Sequence, residues 1–417
     1  MDAGLAPEAL AEALRQRLAP ERWPLPLEAL PSDAVLVGGA VRDAALGRLD
    51  EKPDLDLVVA ADAIPVARSL ARSQGGSCVV LDAQRDMARL VLRGWTLDLA
   101  RREGPDLETD LRRRDYTVNA IALPLATGQG VVDPTGGLEH LRQRALVAVA
   151  EANLLDDPLR LLRGVRLAAE LGFTIGDPSL GWIQRHAARL NAVAGERVLA
   201  ELEKLAAAPS GHEGLAQAWG LGLLATWDAQ PAAGITPAQL SVEAAQLRGL
   251  STRELADALP LARLSWLLDG QAAAKLRSSR RLQQRCQRLR QWWQVLGGQA
   301  LDGLPESEQL DLHEQLEIDL PALLLGQEPA FAQQAITRWR DPADPLFHPR
   351  APQDGRQLQQ ALELTPGPQL GQLLNHLKRE RAFGRLADSP GEGVIQAARR
   401  WLRDQAAAAP TGGVINC

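Results

Sequence analysis

The chain has 417 residues, 46% of them hydrophobic, and a formal net charge of −6, a length too great for one core and suited to two to four domains. No window of 18 or more apolar residues occurs, which excludes a transmembrane helix, and the amphipathic first twenty residues, with Glu8, Glu12, Arg15 and Arg17, lack the apolar core of a signal peptide. Three scattered cysteines (Cys78, Cys286, Cys417) and six dispersed histidines argue against a disulfide framework or a Cys/His metal site, and a cytoplasmic location is expected.

In chain order, residues 34–123 read as α/β. Short β-type runs recur at Ala34–Val37, Leu55–Val59, Ser77–Leu81, Ala88–Leu92 and Thr96–Leu99, several bounded by Gly, Pro or Asp. Val41–Leu46 reads as a helix after the Gly38-Gly39 turn. From about residue 153, Leu, Ala, Arg and Gln dominate and the apolar spacing becomes helical. Breaks at Pro209-Ser210-Gly211, Pro231 and Pro342–Pro352 divide that half into smaller units. The expected fold class is an N-terminal α/β domain followed by a long all-α region. Ala406–Ala409 and the residues after them read as a frayed tail.

The first chemical signal is Asp54-Leu55-Asp56-Leu57-Val58-Val59. On a strand, Asp54 and Asp56 share a face while Leu55 and Leu57 point the other way. Carboxylates so close repel unless a cation lies between them, and oxygen-only ligands suit Mg²⁺. Asp98, in Trp95-Thr96-Leu97-Asp98-Leu99, offers a third carboxylate from a second strand. Three such groups can hold two Mg²⁺ ions roughly 3.5–4 Å apart, the arrangement that activates a hydroxyl and steadies a leaving pyrophosphate. A half-exposed strand shows the same acid–apolar alternation. The second signal, Val37-Gly38-Gly39-Ala40-Val41-Arg42-Asp43, sets two glycines ahead of a helix N-terminus, where free N–H groups can meet phosphate. Arg42, one turn in, is placed to add a charge-assisted bond to a triphosphate. A plain strand–helix turn with a surface Arg is the alternative.

Together these segments resemble the class II tRNA nucleotidyltransferase and bacterial poly(A) polymerase family, within the polymerase β-like superfamily, over nearly the whole chain. Leu36–Asp43 followed by Asp54-Leu55-Asp56 resembles the first motif of that family. Arg113-Arg114-Asp115-Tyr116-Thr117-Val118-Asn119-Ala120 resembles its Arg-Arg-Asp-Phe-Thr-Ile-Asn-Ala motif, and Asp133-Pro134-Thr135-Gly136-Gly137 its Asp-x-x-Gly-Gly motif. Asp156-Asp157-Pro158-Leu159-Arg160-Leu161-Leu162-Arg163 resembles the nucleobase-reading helix, with Asp156 where Glu is usual, and Glu196–Leu202 the motif after it. Leu364–Gly371 is similar to the C-terminal tail.

The resemblance implies a nucleotidyltransferase head over 1–150 with a mixed sheet, a nucleobase-reading neck over 151–210, a helical body over 211–340 and a helical tail over 341–417. It implies that Asp54, Asp56 and Asp98 are catalytic and hold Mg²⁺, although the residues after Asp98 depart from the usual pattern. It implies further that Gly38, Gly39, Arg42, Arg113, Arg114, Asp115, Asn119, Asp157, Arg160 and Arg163 bind the nucleotide. The substrates implied are CTP and ATP, and the partner is the 3′ end of tRNA.

Asp157 and Arg160, at i and i+3, are expected to share one helix face. Arg supplies only donors and Asp only acceptors. Cytosine and adenine each present an amine beside an acceptor ring nitrogen, so this pair fits both. Uracil and guanine present the opposite order and would leave buried groups unpaired, at roughly 1–3 kcal/mol each. A surface ion pair at the same spacing is the alternative.

Residues 271–301 carry Lys275, Arg277, Arg280, Arg281, Arg285, Arg288 and Arg290 with no acid among them. Leu282, Cys286, Leu289, Trp293 and Leu296 form an apolar helical stripe, and Arg277, Arg281, Arg285 and Arg288, beside or away from it, are the candidate RNA-binding residues. A solvated helix face has the same pattern. The function expected is template-independent addition of C, and by extension CCA, to tRNA. A poly(A) polymerase, an A-adding enzyme and a non-catalytic RNA-binding protein are the alternatives. Arg101 and Asp110 are separated by only eight residues, Arg102–Thr109, too few for the mobile loop usual in members that finish the whole CCA tail, which favours a CC-adding enzyme.

Overall fold

The computed structural model describes residues 5–387 and 391–408. They form two compact units that divide at Thr226/Trp227. The boundaries expected at 150 and 210 lie inside the first unit, and we keep them as a proposed subdivision.

The apolar alternation of the first unit becomes a six-stranded mixed sheet. Its strands are β1 (Val35–Val37), β2 (Leu55–Val59), β3 (Ser77–Asp82), β4 (Met87–Leu92), β5 (Trp95–Arg101) and β6 (Ala122–Pro124). The spatial order is β3-β4-β5-β2-β1-β6, and only the β2–β5 pairing is parallel. Leu55, Leu57, Leu90, Leu97 and Leu99, each at most 1% exposed, fill one face. A helix, Ala63–Gln74, packs across β3, β4 and β5, burying Ala63, Ala67, Leu70 and Ala71. On the other face Val35, Val37 and Val58 pack with Leu111, Ala120 and Ala122. Strands β4 and β5 are joined by Arg93 and Gly94 alone, both at positive φ (49° and 80°), the tight hairpin connection that suits the strand twist.

The helices of this unit in chain order are α1 (Pro7–Leu18), α2 (Gly39–Leu46), α3 (Ala63–Gln74), α4 (Leu107–Arg112), α5 (Gly137–Gln143), α6 (Glu151–Asp156), α7 (Leu159–Leu171), α8 (Ser179–His186), α9 (Gly195–Ala207) and α10 (Gly211–Gly220). Helices α7, α9 and α10 pack together, and the apolar stripe of α7 buries Leu161, Leu162, Val165 and Leu167. Asp133 caps α5, its carboxylate accepting from the Gly137 and Leu138 N–H groups at 2.8 and 2.9 Å.

The second unit, as described, is helical. It includes α11 (Val242–Leu247), α12 (Thr252–Leu267), α13 (Gly270–Lys275) and α14 (Arg280–Leu296), and its last described helix is Glu392–Ala408. Ser279 caps α14 through the Leu282 N–H at 3.2 Å, and Gly297 ends it at φ 53°. Four of the five expected stripe residues, Cys286, Leu289, Trp293 and Leu296, are buried, joined by Trp292. Leu358, Leu373, Leu377, Val394 and Ala398 form a small separate core near the end. Ala406–Ala408, expected to fray, continue the last helix, while Ala409 and the residues after it lie outside the described residues. No described helix is long and apolar enough to cross a membrane.

Candidate active site

The sheet register lines up the charges. Val37 pairs with Asp56, Asp56 with Asp98, and Asp98 with Arg89, so Asp56, Asp98 and Arg89 stand side by side on one face of three adjacent strands. Asp54, just before β2, shares that face by strand alternation. Gly38 covers the end of this row. It sits at φ 76° ahead of α2, and a Cβ there would stand 2.9 Å from Asp56 Oδ2. Both facts require glycine, since a side chain would be strained and would strike the carboxylate.

Asp56 has its pKa raised to about 6, first by burial and then by the charges of Asp98 and Asp54, with Arg114 opposing. The row therefore carries more negative charge than its protein surroundings offset. Arg89 answers part of it with a bidentate pair to Asp98 (Nε–Oδ1 and Nη2–Oδ2 both 2.8 Å). Among the described residues no three His, Cys, Asp or Glu side chains converge as a ready ion cage. The donor chemistry of Asp54 and Asp56, all oxygen and under-neutralised, fits a hard divalent cation. Asp98 is turned to Arg89 instead.

A cleft of about 740 Å³ opens over this row, and Gly38, Gly39, Arg42, Asp54, Asp56, Asp98, Arg113, Arg114, Asp115, Asn119, Arg160 and Arg163 all line it. Segments more than a hundred residues apart in sequence are thereby brought to one place. Arg113 and Arg114 leave the C-terminal end of α4 and pair with Glu103 (3.0 Å) and Asp110 (3.1 Å). Asp115, 8% exposed, accepts from the Tyr116 N–H at 2.7 Å and from Arg163 at 3.4 Å. Glu201 on α9 receives Arg166 at 2.6 Å.

Two expectations need correction. Arg42 is 8% exposed and fully engaged, with Nε and Nη2 on Asp43 (3.0 and 2.8 Å) and Nη1 on Asn119 Oδ1 (2.8 Å). It lines the cleft and braces α2 against the 117–119 turn, so in this conformation its donors are committed to Asp43 and Asn119. The Asn119 amide is correspondingly occupied, its Nδ2 lying 3.5 Å from Asp115 Oδ1.

Asp157 and Arg160 do not share a helix. Helix α6 ends at Asp156, Asp157 is extended (φ −138°, ψ 99°), and α7 starts after Pro158. Proline disfavours helical backbone in the residue before it, so the chain breaks at Asp157. The Asp157 carboxylate accepts from Arg197 at 3.0 Å and from the Leu159 N–H at 3.2 Å. It is Asp156 and Arg160 that line the cleft, while Asp157 does not. The Arg160 guanidinium donates to the carbonyls of Asn153 (2.8 Å) and Arg113 (3.2 Å).

Arg89, Glu103, Asp110 and Lys204 also line the cleft, and no motif had singled them out. Arg197 and Glu201 lay in a motif already noted, without assigned partners. The four candidate RNA-binding arginines belong to the second unit. Arg285 is bound to Asp319 by bonds of 2.6–3.1 Å, Arg288 donates to the Gln315 carbonyl at 3.4 Å, and Arg277 and Arg281 are exposed.

Comparison with known proteins places these features. Residues 96–147 match the poly A polymerase head domain, and residues 172–227 match the probable RNA and SrmB-binding site of polymerase A. A CC-adding tRNA nucleotidyltransferase of Synechocystis sp. is 34% identical over 92% of this chain and 96% of its own length. A CC-adding tRNA nucleotidyltransferase of Thermus thermophilus is 45% identical over 47% of this chain and 45% of its own. A CCA-adding enzyme solved in complex with CTP superposes with a TM-score of 0.72 at 20% identity, covering 94% of this chain and 98% of that one. A paired-carboxylate strand, a glycine turn packed against it and an arginine-lined cleft, carried on a chain related end to end to such an enzyme, lead to one conclusion: the chain belongs to the tRNA nucleotidyltransferase and poly(A) polymerase family.

Proposed function

We propose that the protein adds two cytidylates from CTP to the 3′ end of tRNA lacking its tail, without a nucleic-acid template, and releases pyrophosphate at each step. The observation that carries the reading is the single cleft that joins the Asp54/Asp56/Asp98 row to the arginines of the 113–114 turn and of α7. In the reaction the acceptor 3′-oxygen bonds to the α-phosphorus of CTP as the bond to pyrophosphate breaks, and the hydroxyl proton leaves to solvent.

Arg113 and Arg114 bind the triphosphate by exchanging Glu103 and Asp110 for phosphate oxygens, which make stronger charge-assisted bonds in a partly dry cleft. Asp115 and Asn119 face the ribose. Arg160, which lines the cleft, donates to the ring nitrogen of cytosine; Asp157, outside that lining and paired with Arg197, would have to turn inward to accept from the amine. Asp54 and Asp56 would hold Mg²⁺, and Asp98, paired with Arg89 beside them, is the candidate third carboxylate. The bound metal supplies positive charge at the attacking oxygen and at the phosphates.

Termination after two cytidylates rests on the connection between β5 and α4. It is five residues long, 102–106, and is tied down. The Asp110 carboxylate accepts from the Glu103 N–H at 2.9 Å, and Asp106 caps α4 through the Thr109 N–H at 2.8 Å. A segment held this way leaves little to drive the pocket from cytosine to the larger adenine. The names of the two relatives above agree with this reading. The test is to incubate the protein with tail-less tRNA, Mg²⁺, CTP and ATP together and to sequence the products. Ends in CC are expected. Efficient completion to CCA would overturn the two-cytidylate limit alone, a homopolymer of A would favour a poly(A) polymerase, and no extension would overturn the whole proposal.

A further inference from the structure

We propose that Tyr116 is a positioning residue for base choice, holding Arg160 at the setting that fits cytosine. The inference rests on the base-reading role given to Arg160 above. Tyr116 is the single tyrosine of the chain and is fully buried. Its hydroxyl donates to the main-chain carbonyl of Arg160 at 2.9 Å. Burial raises its pKa, so the phenol stays a proton donor. The ring fits a notch in α7 made by Gly164, where a Cβ would lie 1.9 Å from the hydroxyl oxygen. The contact therefore depends on two residues, a phenol on one side and the absence of a side chain on the other.

This bond matters because of where it falls. Helix α7 starts just after the break at Asp157 and Pro158. Its first turn is held from the N-terminal side by Asp157, whose carboxylate accepts from the Leu159 N–H and whose carbonyl accepts from the Arg160 N–H. Tyr116 adds a hold on the Arg160 carbonyl, from outside the helix. The other end of Arg160 is held by the same piece of chain, since its guanidinium donates to the carbonyls of Arg113 and Asn153. Asn153 in turn donates to the carbonyls of Arg112 and Arg114 at 2.8 and 2.7 Å. Backbone and side chain of the base-reading arginine are thus both referenced to segment 112–116, which carries the triphosphate-binding arginines. Accommodating a purine requires Arg160 to move away from that segment, and the phenol opposes the movement. The family motif quoted above has Phe at this place, which has no hydroxyl to donate.

The experiment is a cycle of Tyr116→Phe, Arg160→Ala and the double variant, each assayed for the ratio of kcat/KM with CTP to that with ATP, with thermal unfolding alongside. Tyr116→Phe keeps the ring in its notch, so it should fold with a small change in Tm. Loss of one buried hydrogen bond should lower the CTP-to-ATP ratio about five- to tenfold. In the Arg160→Ala background the same change should leave the ratio where Arg160→Ala alone put it, because Tyr116 acts through Arg160. Two outcomes overturn the positioning role alone: Arg160→Ala alters the ratio while Tyr116→Phe does not, or the tyrosine effect persists in full without Arg160. A ratio untouched by Arg160→Ala overturns the base-reading role, and the Tyr116 inference with it.

Discussion

Around the cleft of the α/β unit, arginines meet carboxylates: Arg89 with Asp98 and Arg113 with Glu103 at solvent-open positions, Arg114 with Asp110 and Arg163 with Asp115 where the carboxylate is buried. In the helical unit several arginines turn inward onto main-chain oxygens. Arg248 donates to the carbonyls of Gln327 and Ala244, Arg263 to that of Leu240, and Arg290 to those of Gln230, Ser265 and Trp266. An ion pair at an open cleft is held weakly enough for a phosphate to replace the carboxylate. A guanidinium donating to main-chain carbonyls in this way satisfies acceptors that the helices leave open, and removing it takes away their partner. The same residue type thus prepares a binding site in one unit and closes a fold in the other.

The largest effect that sharpens this contrast belongs to the carboxylate row. Asp54→Ala or Asp56→Ala should lower nucleotide transfer about a thousandfold or more, since several kcal/mol of metal-borne charge stabilisation is lost. Tm in the presence of chelator should stay level or rise, because the ionised Asp56 is held against its own surroundings. Near-normal transfer in a primer-extension assay would break the contrast at its strongest point.

A titratable group in the helical unit gives the next effect. His313 is 1% exposed, with neither ring nitrogen bonded and its ring 4.3 Å from that of Phe347. Burial, helped by the charge of Arg338, lowers its pKa to about 4. Below about pH 6.5 the unfolded imidazole takes up a proton, while the folded one stays neutral until about pH 4. Stability contributed by the neutral ring is therefore fully present above pH 6.5 and is lost as pH falls toward 4, by at most about 3 kcal/mol. Denaturant melts across that window should show wild type losing stability relative to His313→Phe as pH falls from 6.5 toward 4. Parallel curves would show that the ring finds a partner.

The smallest effects separate two neighbours on α14. Arg285→Ala should cost about 2 kcal/mol of stability, because Asp319, 8% exposed, is left without its bidentate partner. Arg281→Ala, at an exposed position, should leave Tm unchanged and reduce the slope of log affinity for tRNA against log salt by about one. Equal salt slopes for wild type and Arg281→Ala would remove this face from RNA binding.

What could be read in the sequence was local. Strand β2 falls where its alternation put it, and that alternation alone sets Asp54 and Asp56 on one face. The helix after Gly38-Gly39 was also legible, and so was the shortness of the 102–109 segment. What could not be read depended on partners far along the chain. Arg42 sits one turn into α2 as expected, yet its guanidinium goes to Asn119, 77 residues away. Arg285 was a candidate RNA contact because Asp319, 34 residues on, could not be placed beside it. Asp157 is a different case. Pro158 signalled the break, but the same proline also suits the first turn of a helix, and periodicity does not say on which side of it the helix starts. Arg89 carried no signal, because only strand register sets it beside Asp98.

That register hangs on a short ruler. The connection between β4 and β5 consists of Arg93 and Gly94, and successive side chains on a strand alternate between faces. Lengthening this turn by a single amino acid would put that register at stake: wherever the loop did not absorb the extra residue, β5 would slide by one place against β4 and β2. Asp98 would trade sides with a leucine next to it, sinking a charge into the apolar layer and presenting a hydrocarbon to the cleft. Insertions are usually tolerated at exposed turn tips; here, a turn well outside the reacting atoms governs whether they assemble, and length at this point is as restrictive as identity is at Asp56.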